Sequence, residues 1–173
     1  MKLIPVPKKI TEKSGALDLS GLDVAVKYPS DGRLAARATD LKEDLEAATG
    51  DVIRLYAAPT APESKAIYIE DLGGDSEAYT LEVTKDGVRV TGNSAAGAFY
   101  GMQTLRQMIK EYGKSLPLCK IEDEPSFPER GFYHDITRGR VRIPRIRRHR
   151  DRRRVSHRRR DHGARRLLLR SLH

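Results

Sequence analysis

Tryptophan is absent from this 173-residue chain, and cysteine occurs once, as Cys119. A lone cysteine excludes an intrachain disulfide framework. Its place in an apolar–polar alternation makes it a small buried hydrophobe rather than a reactive thiol. No stretch approaches the roughly 18 consecutive apolar residues of a membrane-spanning helix. The opening residues, Met1-Lys2-Leu3-Ile4-Pro5-Val6-Pro7-Lys8-Lys9, lack the apolar centre of a secretory signal, so the expectation is a soluble, cytoplasmic chain with no membrane partner. Aromatic residues make up 6% of the chain and none follows Tyr133, which removes the stacking platforms that single-stranded nucleic acid requires. There is no His-Glu-x-x-His, and Gly92, Gly97 and Gly101 satisfy neither nucleotide fingerprint. His134, His149, His157 and His162 are a poor metal set, because arginines flank the last three and would repel a cation. No metal, cofactor or catalytic residue is expected in this chain.

Charge is present in abundance but unevenly placed. The net charge is +9, yet residues 1–140 hold 19 Lys and Arg against 22 Asp and Glu, a net −3. Residues 141–173 hold 14 Arg, no Lys and 2 Asp, a net +12. The body is therefore mildly acidic and only the tail is basic. Like-charge blocks such as Arg152-Arg153-Arg154 and Arg158-Arg159-Arg160 repel and bury nothing, so disorder is expected there, with at most a weak helix across Ala164 to Leu172.

The periodicities in the body point to an α+β domain. Ile4-Pro5-Val6-Pro7 reads as an edge strand or ordered lead-in. Leu22 to Tyr28 alternates as a strand. Leu34, Ala38, Leu41, Leu45 and Ala48 then recur at helical spacing, with Gly50 placed to end the helix. Val52–Tyr56 and Ala66–Glu70 read as strands. Tyr79–Thr84 and the segment after Lys85-Asp86-Gly87 form a hairpin, with Asp-Gly supplying the turn. Asn93 or Ser94 caps a second helix through Ala98, Phe99, Met102, Leu105, Arg106 and Ile109, and Pro117–Ile121 is a last short strand. Glycines inside that second helix cost about 1 kcal/mol each relative to alanine, which implies a closely approaching neighbour. Two helices with one apolar face each, among five or six strands, predict a two-layer α+β sandwich: a mixed or antiparallel sheet covered on one side.

The run Ala96-Gly97-Ala98-Phe99-Tyr100-Gly101-Met102-Gln103-Thr104-Leu105, after strands beginning Glu77-Ala78-Tyr79, resembles the end of the N-terminal, non-catalytic domain of family-20 glycoside hydrolases, the β-N-acetylhexosaminidases. Ile121-Glu122-Asp123-Glu124-Pro125-Ser126-Phe127-Pro128-Glu129-Arg130-Gly131-Phe132-Tyr133-His134-Asp135-Ile136-Thr137-Arg138 is similar to the junction where that family enters its catalytic barrel. The resemblance implies a zincin-like N-terminal domain over 1–124, the first barrel strand over 125–140, and an unrelated Arg-rich tail over 141–173. It also implies that Arg130, in a complete enzyme, binds hydroxyls of a terminal N-acetylhexosamine; Asp135 and Arg138 match too, as strand supports or ligand contacts. The family's acid pair, an aspartate orienting the substrate's acetamido nucleophile and a neighbouring glutamic acid, lies on a later barrel strand with no counterpart here. Asp71 and Asp123-Glu124 read as solvated turn residues, and Asp135 belongs to the first-strand motif.

A complete (β/α)₈ barrel alone needs about 250 residues, so the reading is an inactive fragment of a hexosaminidase acting on N-acetylhexosamine glycans. The abrupt arginine-rich composition beyond about Arg140 reads as an out-of-frame product, testable in the nucleotide sequence. Two competing readings remain: a binder of nucleic acid or another anionic surface through the tail, with each phosphate neutralised adding about −0.9 to the salt slope on duplex DNA, and a free-standing module that docks a separately encoded barrel.

Overall fold

The structure is a computed structural model, and it describes residues 1–28, 32–127 and 131. Arg130, Asp135, Arg138, the four histidines, the expected first barrel strand beyond Phe127 and the Arg-rich tail lie outside the described residues. The chain divides into two units, Met1–Arg130 and Gly131–His173, and every strand and helix named below belongs to the first.

Seven strands and two helices run in the order β1 (Lys9–Asp18), β2 (Asp23–Lys27), α1 (Gly32–Thr49), β3 (Leu55–Ala58), β4 (Ala66–Asp71), β5 (Tyr79–Thr84), β6 (Gly87–Gly92), α2 (Ala95–Tyr112) and β7 (Ser115–Asp123). The strands form one sheet in the order β1-β7-β5-β6-β4-β2-β3. Strands β3, β2, β4 and β6 are parallel, whereas β5 is antiparallel to β6 and β7, and β7 to β1. The mixed sheet follows from the connections, since a helix separates β2 from β3 and β6 from β7, and a tight turn separates β5 from β6. Gly87, the first residue after that turn, has φ of 138°, a conformation closed to most side chains.

Alternation decides which face is covered. Val24, Val26, Ile67, Ile69, Leu81, Val83, Val88 and Val90 are buried with Leu34, Ala38, Leu41 and Leu45 of α1 and Met102, Leu105, Met108 and Ile109 of α2. Each fully buried leucine contributes about 2 kcal/mol, so this apolar layer dominates the fold's stability. The intervening residues form charge pairs across the opposite face: Lys9 with Glu122, Lys120 with Glu82 and Glu122, and Glu70 with Lys27 and Arg89. Arg89 also lies over the Tyr68 ring, 5.7 Å from its centroid.

Helix α2 sits very close to the sheet. A Cβ on Gly97 would collide with the Ala78 carbonyl oxygen, and one on Gly101 would lie 2.6 Å from Val90 Cγ1. The Ala78 backbone at Gly97 and the Val90 and Tyr79 side chains at Gly101 thus leave no room for a Cβ at either glycine. Ser94 is the N-cap, its Oγ accepting the Gly97 N–H at 3.3 Å.

Three readings from periodicity need correction. There are seven strands rather than five or six, because β1 carries no alternation that would reveal it. The strand expected at Val52–Tyr56 starts at Leu55: Val52 is 91% exposed, whereas Ile53 packs into the core from the loop with its N–H on Glu46 Oε1. Asp71 and Asp123 are not turn residues but the last residues of β4 and β7, and Asp71 Oδ2 is buried without a hydrogen-bond partner.

Candidate functional site

The polar chemistry of the described residues concentrates where β5 begins, β7 ends and α2 passes over them. Tyr79 is the first residue of β5 and, through the sheet register, faces both Gly92 and Asp123. Its ring points into the core, and its hydroxyl lies 2.7 Å from Thr104 Oγ1 and 3.4 Å from Asp123 Oδ2. A phenol has one proton. With that proton directed at the carboxylate, the Thr104 hydroxyl is the donor to Tyr79. Burial, only partly countered by the Thr104 hydrogen bond, pushes the Tyr79 pKa up to about 12, and the neighbouring Asp123 carboxylate adds to the rise.

Asp123 also reaches the N-terminal lead-in. Its Oδ1 accepts the Lys8 N–H at 3.1 Å, and Lys8 Nζ lies 3.0 Å from Glu124 Oε1. Further along the lead-in, the Ile4 N–H donates to Gln107 Oε1 and Gln107 Nε2 donates to the Ile4 carbonyl, both at 3.0 Å. Two grooves flank this ridge and share Lys8, Tyr79, Asp123 and Glu124. One, of about 390 Å³, opens toward Thr80, Thr91 and Asn93; the other, of about 280 Å³, runs between Val6, Tyr100 and Phe127.

This arrangement positions chain segments rather than reacting atoms. Asp123 serves as an acceptor for a phenol and a backbone amide, both contacts that hold chain segments together. Glu122 is held below the usual carboxylate range, chiefly by the Lys9 hydrogen bond and then by Lys120. Cys119 is buried, and desolvation raises its pKa to about 11, so the thiol is not a nucleophile at neutral pH. Among the described residues no three His, Cys, Asp or Glu side chains are grouped to hold a metal ion. No helix there is long and apolar enough to cross a membrane. Sequence reasoning missed Gln107, Lys8 and Tyr79 as a connected set, because nothing local links residues 4–8 to residues 107 and 123.

The fold agrees with the comparisons. The model of glycosyl hydrolase family 20, domain 2, matches residues 1–124. The chain belongs to that family. The chain is 32% identical over 163 aligned residues to a beta-hexosaminidase of Porphyromonas gingivalis, an alignment covering 87% of this chain and 21% of the relative. A beta-hexosaminidase of Vibrio vulnificus is 29% identical over 140 residues, 79% of this chain and 15% of that protein. Among solved structures, a Flavobacterium johnsoniae chitobiase superposes with a TM-score of 0.64 at 25% identity, covering 78% of this chain and 22% of that one. The Streptomyces coelicolor A3(2) family-20 β-N-acetylhexosaminidase gives 0.54 at 28% identity, covering 72% and 26%. The chain thus spans 21% and 15% of the length of these two curated relatives. The matched region ends at residue 124, one residue beyond the carboxylate that anchors the lead-in.

Proposed function

We propose that this chain is the accessory domain of a β-N-acetylhexosaminidase whose complete form removes terminal N-acetylhexosamine from glycans, and that the 173-residue chain alone does not hydrolyse them. The observation that carries this reading is the family match over residues 1–124. Residues 125–140 then begin a catalytic barrel, and Arg130 contributes to sugar binding only once that barrel is complete. The test is turnover of a chromogenic N-acetylglucosaminide by the purified chain. None is expected, and measurable turnover that survives further purification would refute the inactivity.

The charge of residues 141–173, with 14 arginines and 2 aspartates, supports a second reading in which the tail binds polyanions. Salt-dependent DNA binding that disappears when residues 141–173 are removed would favour it. Binding that is insensitive to salt, or absent, would exclude it.

A further inference from the structure

The lead-in before β1 and the segment leaving β7 line one groove, and although Leu3 and Pro7 of the lead-in are buried, their neighbours face outward. Ile4 is 83% exposed, Val6 79% and Phe127 71%. Besides the packing of Leu3 and Pro7, polar bonds at Ile4 and Lys8 hold the lead-in. Ile4 exchanges both backbone hydrogen bonds with the Gln107 amide, while Lys8 gives its N–H to Asp123 and its ammonium to Glu124. Between these anchors Pro5 and Pro7 restrict the backbone, so little conformational freedom is lost when the two ends are tied down. On the other side, the Lys8–Glu124 bond reaches the exit segment just beyond Asp123.

We infer that Ile4–Lys8 is a strap: it ties α2 to the end of β7 and fixes the heading with which the chain leaves the domain. Gln107 and Asp123 are its two positioning residues, and both act through the strap rather than on the exit segment's apolar side chains. The strap bears on residues 123 and 124, where the match to the family domain ends. It bears on the described exit residues 124–127 whether or not the accessory-domain reading holds.

The test uses the full chain carrying Val6→Cys and Phe127→Cys, spin-labelled at both positions. These two residues line the same groove, and buried Cys119 stays unlabelled in the folded protein. Pulsed electron resonance is expected to give one narrow distance distribution. Adding Gln107→Leu and Asp123→Ala should at least double its width, while Gly32→Ala, at the start of α1 where a Cβ meets nothing within 4 Å, should leave it unchanged. A broad distribution in the parent, or an unchanged width in the double variant with an unaltered far-ultraviolet circular dichroism spectrum, overturns the proposal. Should the double variant fail to fold, Gln107→Leu alone decides by hydrogen exchange: the Lys8 amide, whose acceptor Asp123 is retained, should exchange about tenfold faster, and an equal rate overturns the strap. None of these measurements involves hydrolysis, so their failure leaves the hexosaminidase reading standing.

Discussion

Arg106 of α2 donates through Nε to Asp44 of α1, 62 residues earlier in the chain, and both side chains are about one-fifth exposed. The same guanidinium reaches Asp40, and Lys110 approaches Asp44 at 3.8 Å. The two helices are thereby joined across their outer edge, above the apolar seam of Leu41, Leu45, Leu105 and Met108. The seam carries most of the energy. A partly desolvated charge-assisted bond adds about 1–2 kcal/mol, less than a single fully buried leucine can contribute.

Replacing Arg106 with leucine should therefore lower stability by about 1–2 kcal/mol, with a shifted urea midpoint and an unchanged m-value. Leu41→Ala, which empties a fully buried position, should cost about 2–5 kcal/mol. If the two losses came out in the reverse order, the helix layer would be held by its ion pairs and the seam argument would fail.

Gly97 and Gly32 should respond in opposite directions to alanine. At Gly97 the new methyl group meets the backbone carbonyl of Ala78, which cannot rotate away, so a loss of about 1–3 kcal/mol is expected. At Gly32, the first residue of α1, a Cβ meets nothing within 4 Å, and alanine should stabilise by about 0.4–1 kcal/mol. Thermal unfolding of the two variants beside the parent measures both effects.

Tyr79 makes a pH-dependent contribution with a defined sign. Its folded pKa of about 12 lies above the value of about 10 for an unfolded tyrosine, so folding favours the protonated phenol. The contribution is fully present below pH 10 and is lost as pH rises from about 10 to about 12. Tyr79→Phe should cost about 1–2 kcal/mol at neutral pH, because it leaves Thr104 and Asp123 short of a partner. The stability difference between parent and variant should shrink across that alkaline window. A constant difference from pH 8 to pH 12 would show that the hydroxyl does not titrate as proposed.

The legible parts of the chain were those whose signal is local. Leu34, Ala38, Leu41 and Leu45 share a helical face whatever covers it, and Asp86-Gly87 turns the chain without help from elsewhere. Strand β1 was hidden because it is an edge strand with both faces wet: only Leu17 is buried, and its pairing with β7 slips between Glu12 and Ala16. The β3 boundary moved because Ile53 is buried from a loop, a tertiary circumstance that mimics a strand in sequence. Asp123 resembled a turn residue because it precedes Glu124-Pro125. Its partners, Tyr79 and Lys8, are 44 and 115 residues away, and no local pattern encodes such distances.

Cys119 provides a probe of the core that needs no substitution. It is 1% exposed on β7, opposite Val83 and Glu12, and burial is the main cause of its raised pKa, with the Glu12 carboxylate adding to it. Both effects disfavour the thiolate, the form that attacks disulfides and alkylating reagents. In the native chain at pH 8, reaction with an aromatic disulfide reagent should be at least 100-fold slower than in urea, and it should proceed through opening of the sheet. Leu41→Ala should then accelerate labelling in proportion to its loss of stability, since both report the same opening when labelling is slower than reclosing. Rapid labelling of the native parent would mean that the β1–β7 edge separates without global unfolding, and would locate the weakest pairing of the sheet at that bulged edge.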